Sequence, residues 1–310
     1  MTTKISQYEN LNAVLFSTAI EIWNADRQPV PHTYRLVTKI FLTFTRDTGC
    51  ETFQDVTHQR LLDWKEDIII RATRTTWNTY FRHLRSIGNC AVQNGLIEAN
   101  PFLQVTAVKE YTHLPKVISD DDMLAIIAAI RQHAEHRLPW FWEMVTRFFY
   151  YHGIRRNQLV GICWDDIRFD QNVINLRAES SKNKTERLIP LHQNCLGDLT
   201  LLQEKTEKIV GSDLSGKQVF NVTLFVARYF GTEMNCNQIT GYYQRLYKDC
   251  GIRTGTHRLR HTMATKLGTT GNLRVLQEML GHKNILTTQR YVHVGISNMR
   301  ALVTGLPELI

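Results

Sequence analysis

The chain has 310 residues, 43% of them hydrophobic, a net charge of +8 and a pI near 9.2. That is enough length and apolar content for two domains or one large one, and the excess positive charge favours a polyanionic partner. No run approaches the ~18 uncharged apolar residues of a membrane span, and the start MTTKISQYENLNAV lacks a signal peptide's apolar run, so a soluble, cytoplasmic protein with no membrane partner is expected.

In chain order, the first third reads as helices: SQYENLNAVLFSTAIEIWNAD, then PHTYRLVTKIFLTFTRDTG with proline at its start and glycine at its end, then the shorter TFQDVTHQRLLDWKEDII. TRTTWNTYFRHLRSIGNCAVQNGL is a long amphipathic helix with Trp77, Phe81, Leu84, Ile87 and Ala91 along one face. Arginines occupy its remaining surface. Residues 103–117 lack a clear period and include Pro115, so domains are expected at 1–105 and 118–310 with a linker at 106–117. SDDDMLAIIAAIRQHA opens the second part with acids at its positive end. PWFWEMVTRFFYYHG reads as a buried helix stopped by Gly153. NVINL and ERLIPL are β-branched runs that predict a hairpin. Helices follow at NCLGDLTLLQEKTEKI, CNQITGYYQRLYKDCG, HRLRHTMATKLGTT, LRVLQEMLG and a last segment carrying TTQRYVHV. The fold class is therefore mainly α with a small β-hairpin or sheet.

Charge is unevenly placed. Gly251–Arg300 carries eight Lys or Arg (Arg253, Arg258, Arg260, Lys266, Arg274, Lys283, Arg290, Arg300) against the single acid Glu278. The stretch from Ile68 to Ile97 has no acid and carries Arg71, Arg74, Arg82 and Arg85. Phosphate backbones recruit charge in this way, so Arg71, Arg74, Arg82, Arg85, Arg258 and Lys283 are candidate DNA contacts. The six cysteines lie apart without a CxxC pair and read as isolated reduced thiols.

THRLRHTMATKL sets His257, Arg260 and His261 on adjacent helical turns. Zinc is a poor reading: Arg258 stands where a zincin's general base would be, and the arginines would repel a dication. No metal and no cofactor are expected. Phosphate suits the cluster better, because arginine offers a fixed fork of donors and keeps its proton. GIRRNQL adds an arginine pair after a glycine turn, SSKNKTER places Lys182 and Lys184 at a hairpin tip, and GHKNILTTQRYVHV sets Tyr291 among basic and histidine neighbours. Phosphodiester cleavage needs a nucleophile, positive donors and an acid for the leaving oxygen. Tyr291 would be the nucleophile.

The four segments GIRRNQLVGICWDDI, SKNKTERLIPL, THRLRHTMATKL and LGHKNILTTQRYVHV occur in that order over residues 115–300, and together they resemble the tyrosine recombinase, or phage integrase, family. The resemblance implies an α+β catalytic domain preceded by a helical core-binding domain. It assigns the catalytic set to Arg155, Lys182, His257, Arg260, His282 and Tyr291, with Lys182 protonating the leaving 5′ oxygen. It implies a site-specific DNA recombinase acting on double-stranded DNA through a 3′-phosphotyrosyl intermediate, in integration, excision, resolution or inversion, without metal or ATP. Gln158 departs from the pattern, standing where many relatives carry Glu. Asp166 fits a turn or capping residue. The family's architecture further implies a tetramer on DNA, with the tail after Tyr291 (Val294, Ile296, Met299, Leu302, Val303, Leu306) docked on a neighbouring subunit, and no room for a large arm-site domain before the core-binding one. A type IB topoisomerase, a metal hydrolase and a non-catalytic helix-turn-helix regulator built on LRVLQEMLGHKNILTTQRY stand as alternatives.

Overall fold

A computed structural model describes residues 14–110, 116–132, 138–180, 185–226, 233–269 and 272–291. The chain divides into two compact units, Met1–Thr112 and His113–Ile310. Among the described residues, no helix is long and apolar enough to cross a membrane.

The first unit contains α1 (Phe16–Arg27), α2 (Pro31–Thr48), α3 (His58–Arg71) and α4 (Arg74–Gln93). Its core is aromatic: Phe16, Phe41, Phe44, Phe53 and Phe102 pack at tilted to edge-on angles, and Trp64 meets Trp77 at 5.8 Å between ring centroids. The five residues expected along α4 are all buried. The first helix is expected from Ser6, and residues 6–13 lie outside the described residues; among those described, α1 begins at Phe16, and α3 begins later than its pattern predicts. Leu15 pairs in extended form with Thr52, and Phe16 N–H donates to Glu51 O, so the backbone before α1 is already committed. Asp55 accepts the N–H groups of Glu51 and Thr52, which holds residues 51–55 as a turn, and the Thr57 hydroxyl then caps α3.

The second unit is mainly helical around a small sheet. Its elements are α5 (Asp120–Gln132), α6 (Pro139–His152), α7 (Arg156–Val160), β1 (Ile167–Arg168), β2 (Val173–Leu176), β3 (Arg187–Pro190), α8 (Gln193–Val210), α9 (Cys236–Cys250), α10 (Thr256–Gly268), α11 (Leu273–Leu280) and α12 (Ile285–Gln289). The expected hairpin is present, with Ile174 opposite Ile189 and Leu176 opposite Arg187, and β1 adds a third antiparallel strand on β2. At two residues, β1 is too short to show a period. One large core joins α5, α6, α8, α9 and the sheet. A smaller cluster of Met263, Ala264, Leu276, Leu280 and Tyr291 lies between α10 and α11. The last helix stops sooner than TTQRYVHV suggests: α12 ends at Gln289, and Tyr291 sits in the following turn with its N–H donated to Thr288 O at 3.0 Å.

Candidate active site

Arginine 155 is placed by a helix end. Gly153 closes α6 in the left-handed region at φ 58°, where glycine alone carries no steric penalty. The chain then turns through buried Ile154, and Arg155 becomes the N-cap of α7. Its backbone N–H donates to Gln158 Oε1 at 2.9 Å, and Gln158 is fully buried. The amide thus supports the turn that carries the arginine, which a carboxylate would also do. Among the described residues Arg155 Nη1 is buried with no hydrogen-bond partner, an uncommon and costly state for a donor.

Arginine 260 is the hub of the site. It is 5% exposed. Its Nη1 donates to Gly153 O, and its Nη2 donates to Leu280 O at 2.7 Å and to His282 Nε2 at 3.1 Å. One side chain of α10 therefore ties the ends of α6 and α11 together. Guanidinium only donates, so His282 Nε2 accepts, and His282 Nδ1–H donates to Thr288 Oγ1 at 2.9 Å. Burial, then Arg260, Arg155, Arg187 and His261, push the His282 pKa down to about 4. It is neutral at pH 7, as the acceptor role requires. Burial and Arg155 bring Arg260 down to about 9, so it stays charged at neutral pH.

Tyrosine 291 is buried against the small cluster, and its ring lies 6.2 Å from that of His282 at an interplanar angle of 16°. Its hydroxyl shares a 2.8 Å hydrogen bond with His261 Nδ1. Burial raises the phenol's pKa, and Arg260, Arg290 and Arg155 pull against that rise. The approach of the tyrosine to α10 depends on Gly268: a Cβ there would stand 2.5 Å from Tyr291 O.

His257 lies at the protein surface, and partial burial followed by Arg156, Arg260 and Arg155 lowers its pKa. It shares a groove with Lys116, Arg156, Arg253, Arg258 and His261, and no acid lines that groove among the described residues. Arg258 donates to Lys116 O and Arg253 O. Lys283 is exposed beyond the α11 turn. Among the described residues no three His, Cys, Asp or Glu side chains gather as metal ligands. Asp166 accepts the Cys163 N–H at 2.9 Å and pairs with Arg177 at 2.7 Å, so it caps a turn away from the cluster.

Arg155, Arg260, His282 and Tyr291 thus share one electrostatic neighbourhood, with His257 at its edge. Lys182 and the tail from residue 292 lie outside the described residues. In the first unit, Arg82 and Arg85 are exposed, Arg74 donates to Lys109 O, and Arg71 is engaged in ion pairs with Asp47 and Asp67. Two residues at the site had no assigned part in the sequence reading. His261 is read in the sequence only as a member of the His257–Arg260 phosphate cluster, without a role of its own, although it follows Arg260 directly. Arg187 sits in ERLIPL, where the strand pattern drew notice and the charge did not.

A family model, the phage integrase family, matches residues 116–297, more than half of the chain. A putative tyrosine recombinase XerC from Pseudomonas syringae is 31% identical over 285 residues; the match covers 87% of this chain, which spans only 59% of that relative's length. Among solved structures, the Tn1549 transposon integrase in complex with a circular intermediate DNA superposes with a TM-score of 0.74 at 19% identity, over 95% of this chain and all of that one. A lambda integrase tetramer bound to a Holliday junction gives 0.69 at 17% identity, over 91% and 78% of the two chains. At these identities the structural matches concern the fold.

Proposed function

Because the chain belongs to the phage integrase family, we propose that it is a site-specific DNA recombinase that cuts and rejoins strands through Tyr291. The phenolic oxygen attacks the scissile phosphorus, and the bond from phosphorus to the 5′ oxygen breaks. The product is a 3′-phosphotyrosyl link and a free 5′ hydroxyl. That hydroxyl, on a partner strand, reverses the step and releases the tyrosine. Each step exchanges one phosphodiester for another, so no external energy source is required.

Arg155 and Arg260 bind the non-bridging oxygens and stabilise the charge that builds there. Neutral His261 takes the phenolic proton, His257 donates to the phosphate, and His282 holds the Arg260 fork. Lys182 supplies the proton to the leaving 5′ oxygen. The observation that carries this reading is the unpartnered, buried Nη1 of Arg155 beside the Arg260 hub, within electrostatic reach of the Tyr291 phenol. A donor left unpaired at real cost suits an anion that arrives with the substrate.

In this reading residues 1–105 are the core-binding domain and residues 118–310 the catalytic domain. Arg71, Arg74, Arg82, Arg85, Arg258 and Lys283 contact DNA, and a tetramer assembles on two sites through the C-terminal tail in the cytoplasm. The test begins by selecting duplexes that bind the Tyr291→Phe variant. A nicked suicide version of the selected site is then incubated with wild type in EDTA. A covalent adduct is expected with wild type and none with Tyr291→Phe at equal DNA binding. Adduct from Tyr291→Phe, or cleavage that EDTA abolishes, contradicts the proposal.

A further inference from the structure

The C-terminal end of α11 is closed by arginines from two different elements. Helices leave their last carbonyls without intrahelical partners. Here Gln277 O accepts from His282 N–H at 3.1 Å, and Leu280 O accepts from Arg260. Of the two between them, Glu278 O accepts from Gly281 N–H at 3.0 Å and again from Arg187 Nη1 of β3 at 2.7 Å, and Met279 O accepts from the same Nη1 at 3.1 Å. The guanidinium lies against the Gly281 backbone so closely that a Cβ at Gly281 would stand 2.3 Å from its Cζ. Gly281 holds φ 63°, and the next residue is His282.

A plain helix cap does not explain this placement. Burial and the neighbouring Arg155 both lower the Arg187 pKa, so the cation is held where charge is disfavoured twice over. An exposed lysine or water would satisfy two carbonyls at less cost. The same guanidinium bears on His282 and Arg260 electrostatically. Arg187 also opens β3, so it fastens the small sheet to the histidine turn.

We propose that Arg187 is a positioning residue for strand cleavage: by clamping the end of α11 it fixes the Gly281–His282 turn, and His282 in turn aligns the Arg260 fork. The proposal rests on the reading of this cluster as the phosphate-binding centre, and its first test needs no DNA. The charged and titratable groups facing His282 are Arg260 and His261 from α10, Arg155 from the α6–α7 turn, Arg187 from β3 and the phenol of Tyr291, whose ring stacks on it at 6.2 Å in the turn after α12.

The experiment follows the ring nitrogens of His282 by two-bond proton–nitrogen correlation in the full-length protein labelled with nitrogen-15 histidine. Wild type is expected to hold the Nδ1–H tautomer and to take up a proton only near pH 4. Arg187→Gln is expected to move that midpoint upward toward the ordinary histidine range and to give mixed tautomers. Arg187→Lys keeps the charge but cannot span both carbonyls. It is expected to fold, to retain a low midpoint, and to mix the tautomers. On the suicide duplex, Arg187→Lys should bind within about twofold of wild type and cleave about 10- to 100-fold more slowly, the scale expected of a misaligned catalytic group. If Arg187→Gln does not fold, the tautomer and cleavage of Arg187→Lys decide. Wild-type His282 behaviour in the variants overturns the clamp. A wild-type protein that forms no adduct on any selected duplex overturns the recombinase reading instead, while the DNA-free spectra still judge the clamp.

Discussion

Arg155 and Arg260 occupy the same neighbourhood but carry different structural duties, and substitution should separate them. Arg155 Nη1 has no protein partner among the described residues, so Arg155→Ala should leave the melting temperature near wild type and slow cleavage by about 10²- to 10³-fold, the usual loss for one transition-state donor. Arg260→Ala strips Gly153 O, Leu280 O and His282 Nε2 of their donor. Each acceptor so left costs about 1–3 kcal/mol where water cannot reach it, so this variant should lose both activity and thermal stability. Melting curves beside adduct yields check the contrast. At this scale Arg155, His257, Arg260, His282 and Tyr291 were legible because their motifs recur in a fixed order. His261 and Arg187 were not, because their roles arise from approach in space: His261 meets a phenol 30 residues on, and Arg187 reaches carbonyls 91 and 92 residues on. No spacing within one segment reports either contact.

At the scale of elements, the site depends on how closely the turn after α12 approaches α10. Gly268→Ala would place a methyl 2.5 Å from Tyr291 O, against backbone that has little freedom to yield. The variant should bind DNA as wild type does and form adduct about 100-fold more slowly, which time courses on the suicide duplex measure. Arg71 at the end of α3 is occupied by Asp47 and Asp67. Arg82 is exposed on α4. Arg82→Ala should therefore reduce the slope of log affinity against log salt by about one, whereas Arg71→Ala should lower the melting temperature and change that slope less. Long helices with a regular apolar face, such as α2 and α4, were legible nearly to their ends because capping residues and the 3.6-residue period agree. The start of α3, the strand β1 and the end of α12 were not, because bonds to distant or side-chain partners fix them.

For the molecule as a whole, stability should fall in mild acid. His152 is 1% exposed, accepts the His192 N–H on Nε2 and donates from Nδ1 to Phe148 O. Burial pushes its pKa from 6.5 down to about 4. A folded value below the unfolded one means that the unfolded chain binds the proton first. The stabilisation is therefore complete above pH 6.5 and is lost as pH falls toward 4, by about 3 kcal/mol for this group at about 1.4 kcal/mol per unit. His282 acts in the same direction over the same window. Melting temperatures across pH 4–7 should fall with acid in wild type and fall less in His152→Gln. The central claim, that one phenol exchanges phosphodiesters under the Arg155–Arg260 pair, is tested most directly by trimming the covalent adduct with nuclease and sequencing the modified peptide by mass spectrometry. The expected result is a nucleotide joined through its 3′ phosphate to Tyr291, with a 5′ hydroxyl on the released strand. A nucleotide on any other residue, or joined through its 5′ phosphate, would contradict it.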